Sequence, residues 1–125
     1  MKSTKETSPL LVSLSIGRHV SRLGFDWHTP LEAIQKVKEE ISELEKALES
    51  GQKKEVAQEI GDIFFSLANV SRLLRVNPER ALMKTNTKFR KRFSFVKKEL
   101  KKQGKRLNQA SLEEMDRIWE ESKKR

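Results

Sequence analysis

The chain of 125 residues carries 27 Lys+Arg against 18 Asp+Glu, a formal net charge of +9, with 35 % hydrophobic and 36 % charged residues. That length suits one domain with a thin core, which association with another copy would extend. The lack of cysteine excludes disulfides, thiolate catalysis and iron–sulfur or zinc-thiolate centres, and with only His19 and His28 a histidine-rich metal site is excluded too.

Residues 1–9 read as a polar tail. Leu10 to about Leu23 forms a first, moderately amphipathic helix that ends at Gly24. Thr29-Pro30-Leu31-Glu32 is a helix start: Thr29 caps, Pro30 suits the first helical position, and Glu32 can reach back to complete a capping box. From there Ile34, Val37, Ile41, Leu44 and Leu48 recur at three- and four-residue steps as one apolar stripe, which Ser50-Gly51 stops. A third helix runs from about Lys53 to Arg75, with Val56, Ile60, Ile63, Phe64, Leu67, Val70 and Leu74 on one side. Asn77-Pro78 starts a fourth, with Leu82, Phe89, Phe93, Val96 and Leu100 as its stripe and Gly104 as its stop. Ser111-Leu112-Glu113-Glu114 repeats the capping-box signature and opens a short last helix to about Ser122. The expected fold is all-α, four to five helices in an antiparallel bundle. No stretch approaches the ~20 consecutive apolar residues of a membrane span, and no signal-cleavage pattern follows Leu10–Ile16. The expectation is a soluble, cytoplasmic protein with no membrane partner.

The third helix carries acids where a core belongs. Between Ile60 and Leu74 its only ionisable residues are Asp62 and Arg72, and Glu59 falls inside the margin of the apolar stripe. Two carboxylates on one ridge against an apolar face repel each other and are costly to desolvate, which either a divalent cation or pairing with Lys and Arg relieves. On the second helix Glu40 borders the stripe, Glu43 follows one turn later, and Glu39 points nearly opposite. Glu40-x-x-Glu43 on one helix and Glu59-x-x-Asp62 on the next, antiparallel one can converge four carboxylates on a site for Mg²⁺ or Mn²⁺. A di-iron bundle would want Glu-x-x-His, and no histidine follows residue 28. The fourth helix brings Asn86, Lys88 and Arg92 close to Phe89 and Phe93, and cations four residues apart can clamp a polyphosphate or form a plain basic surface. Trp119 sits with Leu112 and Met115, and Trp27 follows Gly24-Phe25-Asp26; both suit packing.

These segments occur in a telling order: Gly24-Phe25-Asp26-Trp27; Glu39-Glu40-x-x-Glu43; Glu59-x-Gly61-Asp62-Ile63-Phe64-Phe65; Asn86-x-Lys88-Phe89-x-x-Arg92-Phe93; Leu112-Glu113-Glu114-Met115-Asp116-x-x-Trp119. The ordered set resembles the MazG nucleotide pyrophosphohydrolases of the all-α NTP pyrophosphatase superfamily, over roughly residues 10–122, as one MazG-like helical domain at 10–125. The resemblance implies hydrolysis of a nucleoside triphosphate between the α- and β-phosphates, giving a monophosphate and pyrophosphate. It assigns metal ligation, by Mg²⁺ with Mn²⁺ as substitute, to Glu40, Glu43, Glu59 and Asp62. It assigns phosphate contacts to Lys88 and Arg92, with Asn86 in the same motif, and a position near the nucleotide to Trp119. Glu39 matches the first acid of the family motif, beside the attacking water. Homodimers or larger assemblies are implied, with helices of two protomers completing each bundle. The chain departs from the family at Glu55, where better-known members carry Lys, and at Gln58, where Glu is common.

No Ser-His, Cys-His or Gly-rich phosphate loop is present, which argues against covalent catalysis and a Walker-type site. Two other readings compete: a basic helical module binding nucleic acid, against which the interleaving of acids with bases speaks, and a catalytically silent relative acting through protein contacts, against which the four retained acids speak.

Overall fold

The structure, a computed structural model, describes residues 8–125; all but the last two residues of the polar tail lie outside it. Five α-helices, one short 3₁₀ turn and no strand occur among the described residues: α1 (Pro9–Arg22), α2 (Pro30–Ser50), α3 (Lys53–Leu73), α4 (Pro78–Lys102), a 3₁₀ turn (Leu107–Gln109) and α5 (Leu112–Ser122). The all-α expectation holds. No helix among them is long and apolar enough to cross a membrane. The chain forms two compact units that meet in sequence between Ala81 and Leu82.

Local signals set the helix ends. Ser8, read as tail, is the N-cap of α1: its Oγ accepts from Leu11 N at 3.2 Å and donates to Glu79 Oε1 at 2.8 Å. Thr29 Oγ1 accepts from Glu32 N at 3.2 Å, while the Glu32 carboxylate accepts from His28 N at 2.8 Å and not from Thr29, so the expected capping box closes one residue early. Gly51, at φ 73°, ends α2 in the left-handed conformation that Cβ disfavours, and only Gln52 separates it from α3. This two-residue link makes α2 and α3 an antiparallel hairpin. Asn77 Oδ1 accepts from Glu79 N and Arg80 N at the start of α4. α3 ends at Leu73, two residues before its expected end.

In the first unit Ala33 and Val37 of α2 pack on Val70 of α3, with Trp27, Ile34 and Leu73 around them. Of the expected stripe of α3 the chain buries Val70 alone and half-buries Val56 and Ile63. Buried on α3 are Ser66, Ala68, Asn69 and Val70, whereas Ile60, Phe64, Leu67 and Leu74 stay exposed, Phe64 by 55 % and Leu67 by 46 %. At about 100° per residue, Glu59, Asp62, Ser66 and Asn69 share a sector of about 80°, and the apolar row lies about 140° away. The face of α3 turned into the unit thus combines Ser66 and Asn69 with Ala68 and Val70, while most of the apolar row stays outside. Ile41 and Leu48 of α2 are likewise exposed.

The second unit packs Val96 and Leu100 of α4 on Ile118 of α5, flanked by Phe95, Ala110, Met115 and Trp119. Leu112, expected beside Trp119, is exposed, and Ile118 takes the buried place. Ser111 Oγ accepts from Glu114 N at 3.0 Å, but the Glu114 carboxylate accepts from Lys105 Nζ at 2.8 Å instead of closing the box.

Candidate functional site

The α2–α3 hairpin sets one turn of each helix side by side, and this converges three acids. One carboxylate oxygen from each of Glu40, Glu59 and Asp62 lies within 4.8 Å of the other two. Glu40 is 14 % exposed at its side chain. Glu59 Oε1 is buried with no hydrogen-bond partner, an arrangement that water-free burial of a carboxylate makes costly. Desolvation, the side chain of Glu40 and the charges of Asp62, Glu40 and Glu43 together hold the Glu59 carboxyl above its ordinary value. Three hard oxygen donors with one orphaned buried oxygen fit a divalent cation, whose coordination would satisfy that oxygen and cancel the repulsion.

Glu43, the fourth expected ligand, is exposed one turn beyond Glu40, and its Oε2 accepts from Lys46 Nζ at 3.3 Å. Its charge reaches Glu59, but its oxygen is not among the three that converge. Glu39 is exposed, with Lys36 Nζ 3.6 Å from its Oε1. The same ammonium stands 3.3 Å from Glu40 Oε2, and Glu40 first, then Glu39, raises the Lys36 pKa. Sequence reasoning passed over Lys36, although its place four residues before Glu40 is the signal for such a pair.

A second polar construction ties α3 to the segment before α2. Arg72 donates from Nη1 and Nη2 to the two Asp26 oxygens at 3.0 and 2.8 Å, and from Nε to Asn69 Oδ1 at 3.2 Å. Ser21 Oγ and Trp27 N also donate to Asp26, at 2.7 and 2.8 Å. The Arg72 hydrogen bonds hold the Asp26 carboxyl far below the usual carboxylate range. Gly17 of α1 passes so close that a Cβ there would stand 2.5 Å from Asn69 Oδ1 and 2.7 Å from Arg72 Nε. Arg72 stood out in the sequence as the lone cation of its stretch, without a role. Two cavities flank these groups. One of about 580 Å³ is lined by residues that include Phe25, Trp27, Lys36, Phe65, Asn69 and Arg72; a polar one of about 330 Å³ lies among Glu43, Lys46, Glu55, Gln58 and Glu59.

The remaining expected residues belong to the second unit. Asn86 and Lys88 are exposed on α4 and Arg92 is half-buried on the same helix. Trp119 packs on Phe89 with ring centroids 4.8 Å apart, and Phe89 stacks on Phe93 at 6.4 Å.

Comparison with known proteins adds a family to this geometry. Residues 28–96 match the MazG nucleotide pyrophosphohydrolase domain, a span holding all five acids together with Asn86, Lys88 and Arg92. The chain is 38 % identical over 122 residues to the nucleoside triphosphate pyrophosphohydrolase/pyrophosphatase MazG of Thermotoga maritima, an alignment covering 94 % of this chain and 47 % of that one. It is 32 % identical over 117 residues to the nucleoside triphosphate pyrophosphohydrolase of Escherichia coli K12, covering 92 % and 44 %. A shorter match of 65 residues at 49 % identity, 52 % of this chain and 13 % of the other, reaches the uncharacterized protein YabN of Bacillus subtilis. The chain thus spans less than half the length of the full relatives it matches.

Proposed function

This chain belongs to the MazG nucleotide pyrophosphohydrolase domain family, and on that premise we propose that it hydrolyses nucleoside triphosphates to the monophosphate and pyrophosphate. The observation that carries the reading is the Glu40–Glu59–Asp62 cluster with its unpartnered buried Glu59 oxygen. Acids forced together without enough local cations favour a ligand that is itself a small, hard cation. Mg²⁺, or Mn²⁺ in its place, supplies charge neutralisation for the triphosphate and Lewis acidity for the attacking water. Glu40, Glu59 and Asp62 would hold it, with Glu43 one turn beyond Glu40 as the fourth ligand of the set. Glu39 orients the attacking water. Lys88 and Arg92 bind the phosphates, Lys88 as a point charge and Arg92 as a fork, with Asn86 beside them and Trp119 against the nucleoside. Charge that develops on the departing pyrophosphate is met by those two cations.

The working unit in this reading is a homodimer in the cytoplasm. The exposed row Ile60, Phe64, Leu67 and Leu74 is the surface a second copy covers, since α3 leaves it bare within the chain.

The test is product release from all ribo- and deoxyribonucleoside triphosphates, with Mg²⁺ and with chelator. Equal amounts of monophosphate and pyrophosphate, lost on chelation, are expected. Release of inorganic phosphate instead, or silence with both Mg²⁺ and Mn²⁺, would overturn the proposal.

A further inference from the structure

The net charge of the chain is not shared between its units. Residues 1–81 hold 12 Lys and Arg and 12 Asp and Glu, whereas residues 82–125 hold 15 against 6, so the whole formal charge of +9 resides in the second unit. Acids and bases interleave over the chain as a whole, but not on α4, where seven Lys and Arg and no acid lie between Leu82 and Lys98. Solubility asks only for a modest, mixed surface charge, not for one sign gathered on one helix.

These cations are ordered along α4. At about 100° per residue, Lys84, Thr87, Lys91, Ser94, Lys98 and Lys102 fall within a sector of about 80°, at steps of three and four residues. All six are exposed, on the far side of the helix from Val96 and Leu100, which pack on Ile118. At 1.5 Å per residue the ridge runs for about 27 Å, and it has no apolar member. Among the described residues no carboxylate pairs with Lys84, Lys91 or Lys98; Lys102 has Glu99 at 3.0 Å. The acids of α5 serve elsewhere, Glu114 with Lys105 at 2.8 Å and Glu120 with Lys123 at 3.1 Å. Like charges four residues apart, Lys84 with Lys88 and Lys98 with Lys102, destabilise a helix. A polyanion laid along the ridge relieves that repulsion.

We infer that this ridge binds the phosphate backbone of a nucleic-acid duplex, a function separate from the hydrolysis proposed above. A straight row of cations suits a regular row of anions, and each strand of a duplex presents one phosphate per about 3.4 Å of axis. Lysines and hydroxyls hold phosphates and fix position without reading sequence. A single strand would want rings beside the cations for its bases to stack on. The exposed rings of α4, Phe89 and Phe93, instead lie on the Trp119 side of the helix. An anionic membrane would want apolar side chains to insert, and the ridge offers none. Lys88 and Arg92 lie beside the ridge, outside its sector, and stay with the triphosphate.

The experiment titrates the full chain into a fluorescently labelled duplex of arbitrary sequence, once as DNA and once as RNA, and reads anisotropy against salt. With four lysines neutralising four phosphates, the log–log slope is expected near −3.6, on the order of a hundredfold loss of affinity between about 50 and 200 mM salt. Lys91→Gln and Lys98→Gln are each expected to flatten that slope by about 0.9 while kcat/KM for pyrophosphate release is unchanged. Lys84→Glu, Lys91→Glu and Lys98→Glu combined should abolish binding; Gln and Glu keep the helix propensity of Lys, and circular dichroism checks the fold. Should the triple variant unfold, the two Gln variants decide. Lys38→Gln, exposed on α2 of the first unit, should leave the slope as it was. The tighter of the two duplexes identifies which nucleic acid is taken. No binding at about 50 mM salt, or an equal effect of Lys38→Gln, overturns the ridge. Displacement by equimolar nucleoside triphosphate places the duplex at Lys88 and Arg92 and overturns it too. Tighter binding to a single strand or to anionic vesicles than to either duplex overturns the choice of partner.

Discussion

Replacing Arg72 by Met keeps the length of the side chain and removes its charge, which isolates the electrostatic part of the Asp26–Arg72 contact. The pair is sheltered, with side chains 11 % and 19 % exposed, and is bidentate at 3.0 and 2.8 Å. Breaking a buried pair by removing one member costs about 3–5 kcal/mol. Asp26 keeps two donors, Ser21 and Trp27, so a loss of about 2–3 kcal/mol is expected here. With an unfolding entropy of about 2.1 cal/mol/K per residue, the midpoint should fall by about 8–12 °C for a chain of this size. The sign with pH follows from Asp26, whose carboxyl Arg72 holds well below the ordinary 3.8. A depressed carboxylate adds stability above its unfolded value, and that contribution is lost as pH falls through the native one. Wild type should therefore lose stability between about pH 4 and lower pH more steeply than Arg72→Met. The assay is thermal and urea unfolding at pH 7 and at acid pH, with Asp26→Asn and the double variant closing a cycle. A loss under 1 kcal/mol at pH 7, or a coupling energy near zero, would refute the reasoning.

At the acid cluster, Glu59→Gln and Asp62→Asn are expected to abolish pyrophosphate release while circular dichroism stays helical. Because the Glu59 pKa is raised from 4.5, metal-free wild type should lose stability as pH rises through that raised value, and Glu59→Gln should not; a Glu59→Gln midpoint no higher than wild type at pH 8 would count against the cluster. Mg²⁺ at a hundred times its Kd is expected to stabilise wild type by about 2.7 kcal/mol, roughly 10 °C, and Asp62→Asn far less; an equal rise in both would remove Asp62 from the metal site. Gly17→Ala forces a Cβ onto Asn69 and Arg72 and should cost about 1–3 kcal/mol by urea unfolding, with no cost if the pair moves freely. Leu67→Glu on the bare face of α3 should yield a monomer by analytical ultracentrifugation where wild type is dimeric; an unchanged mass would place the interface elsewhere.

Much of this molecule is decided within short stretches of chain. Thr29-Pro30, Gly51, Asn77-Pro78 and Ser111 set helix ends because a cap or a left-handed glycine acts on backbone groups a few residues away, and Glu40-x-x-Glu43 with Glu59-x-x-Asp62 puts acids one turn apart whatever surrounds them. Even there, the partner of a long side chain escaped local rules. Glu32 and Glu114 each had a closer or more strongly charged donor than the backbone group that the capping box names. Periodicity drew the apolar row of α3, and its natural reading, that the row faces inward, holds for Val70 but not for Ile60, Phe64, Leu67 and Leu74, because α1 and α2 pack on the face of Ser66, Asn69 and Val70. A periodic pattern tells that a helix has two faces but not which neighbour covers each, since that depends on contacts dozens of residues apart. The same holds for Asp26 and Arg72, 46 residues apart, and for the cavity beside them. Residue types and spacing thus determined the helices and the chemistry available, including the meeting of acids from α2 and α3, while tertiary packing alone decided that Glu43 stands apart from Glu40, Glu59 and Asp62, that Arg72 clasps Asp26, and that most of an apolar row is left bare.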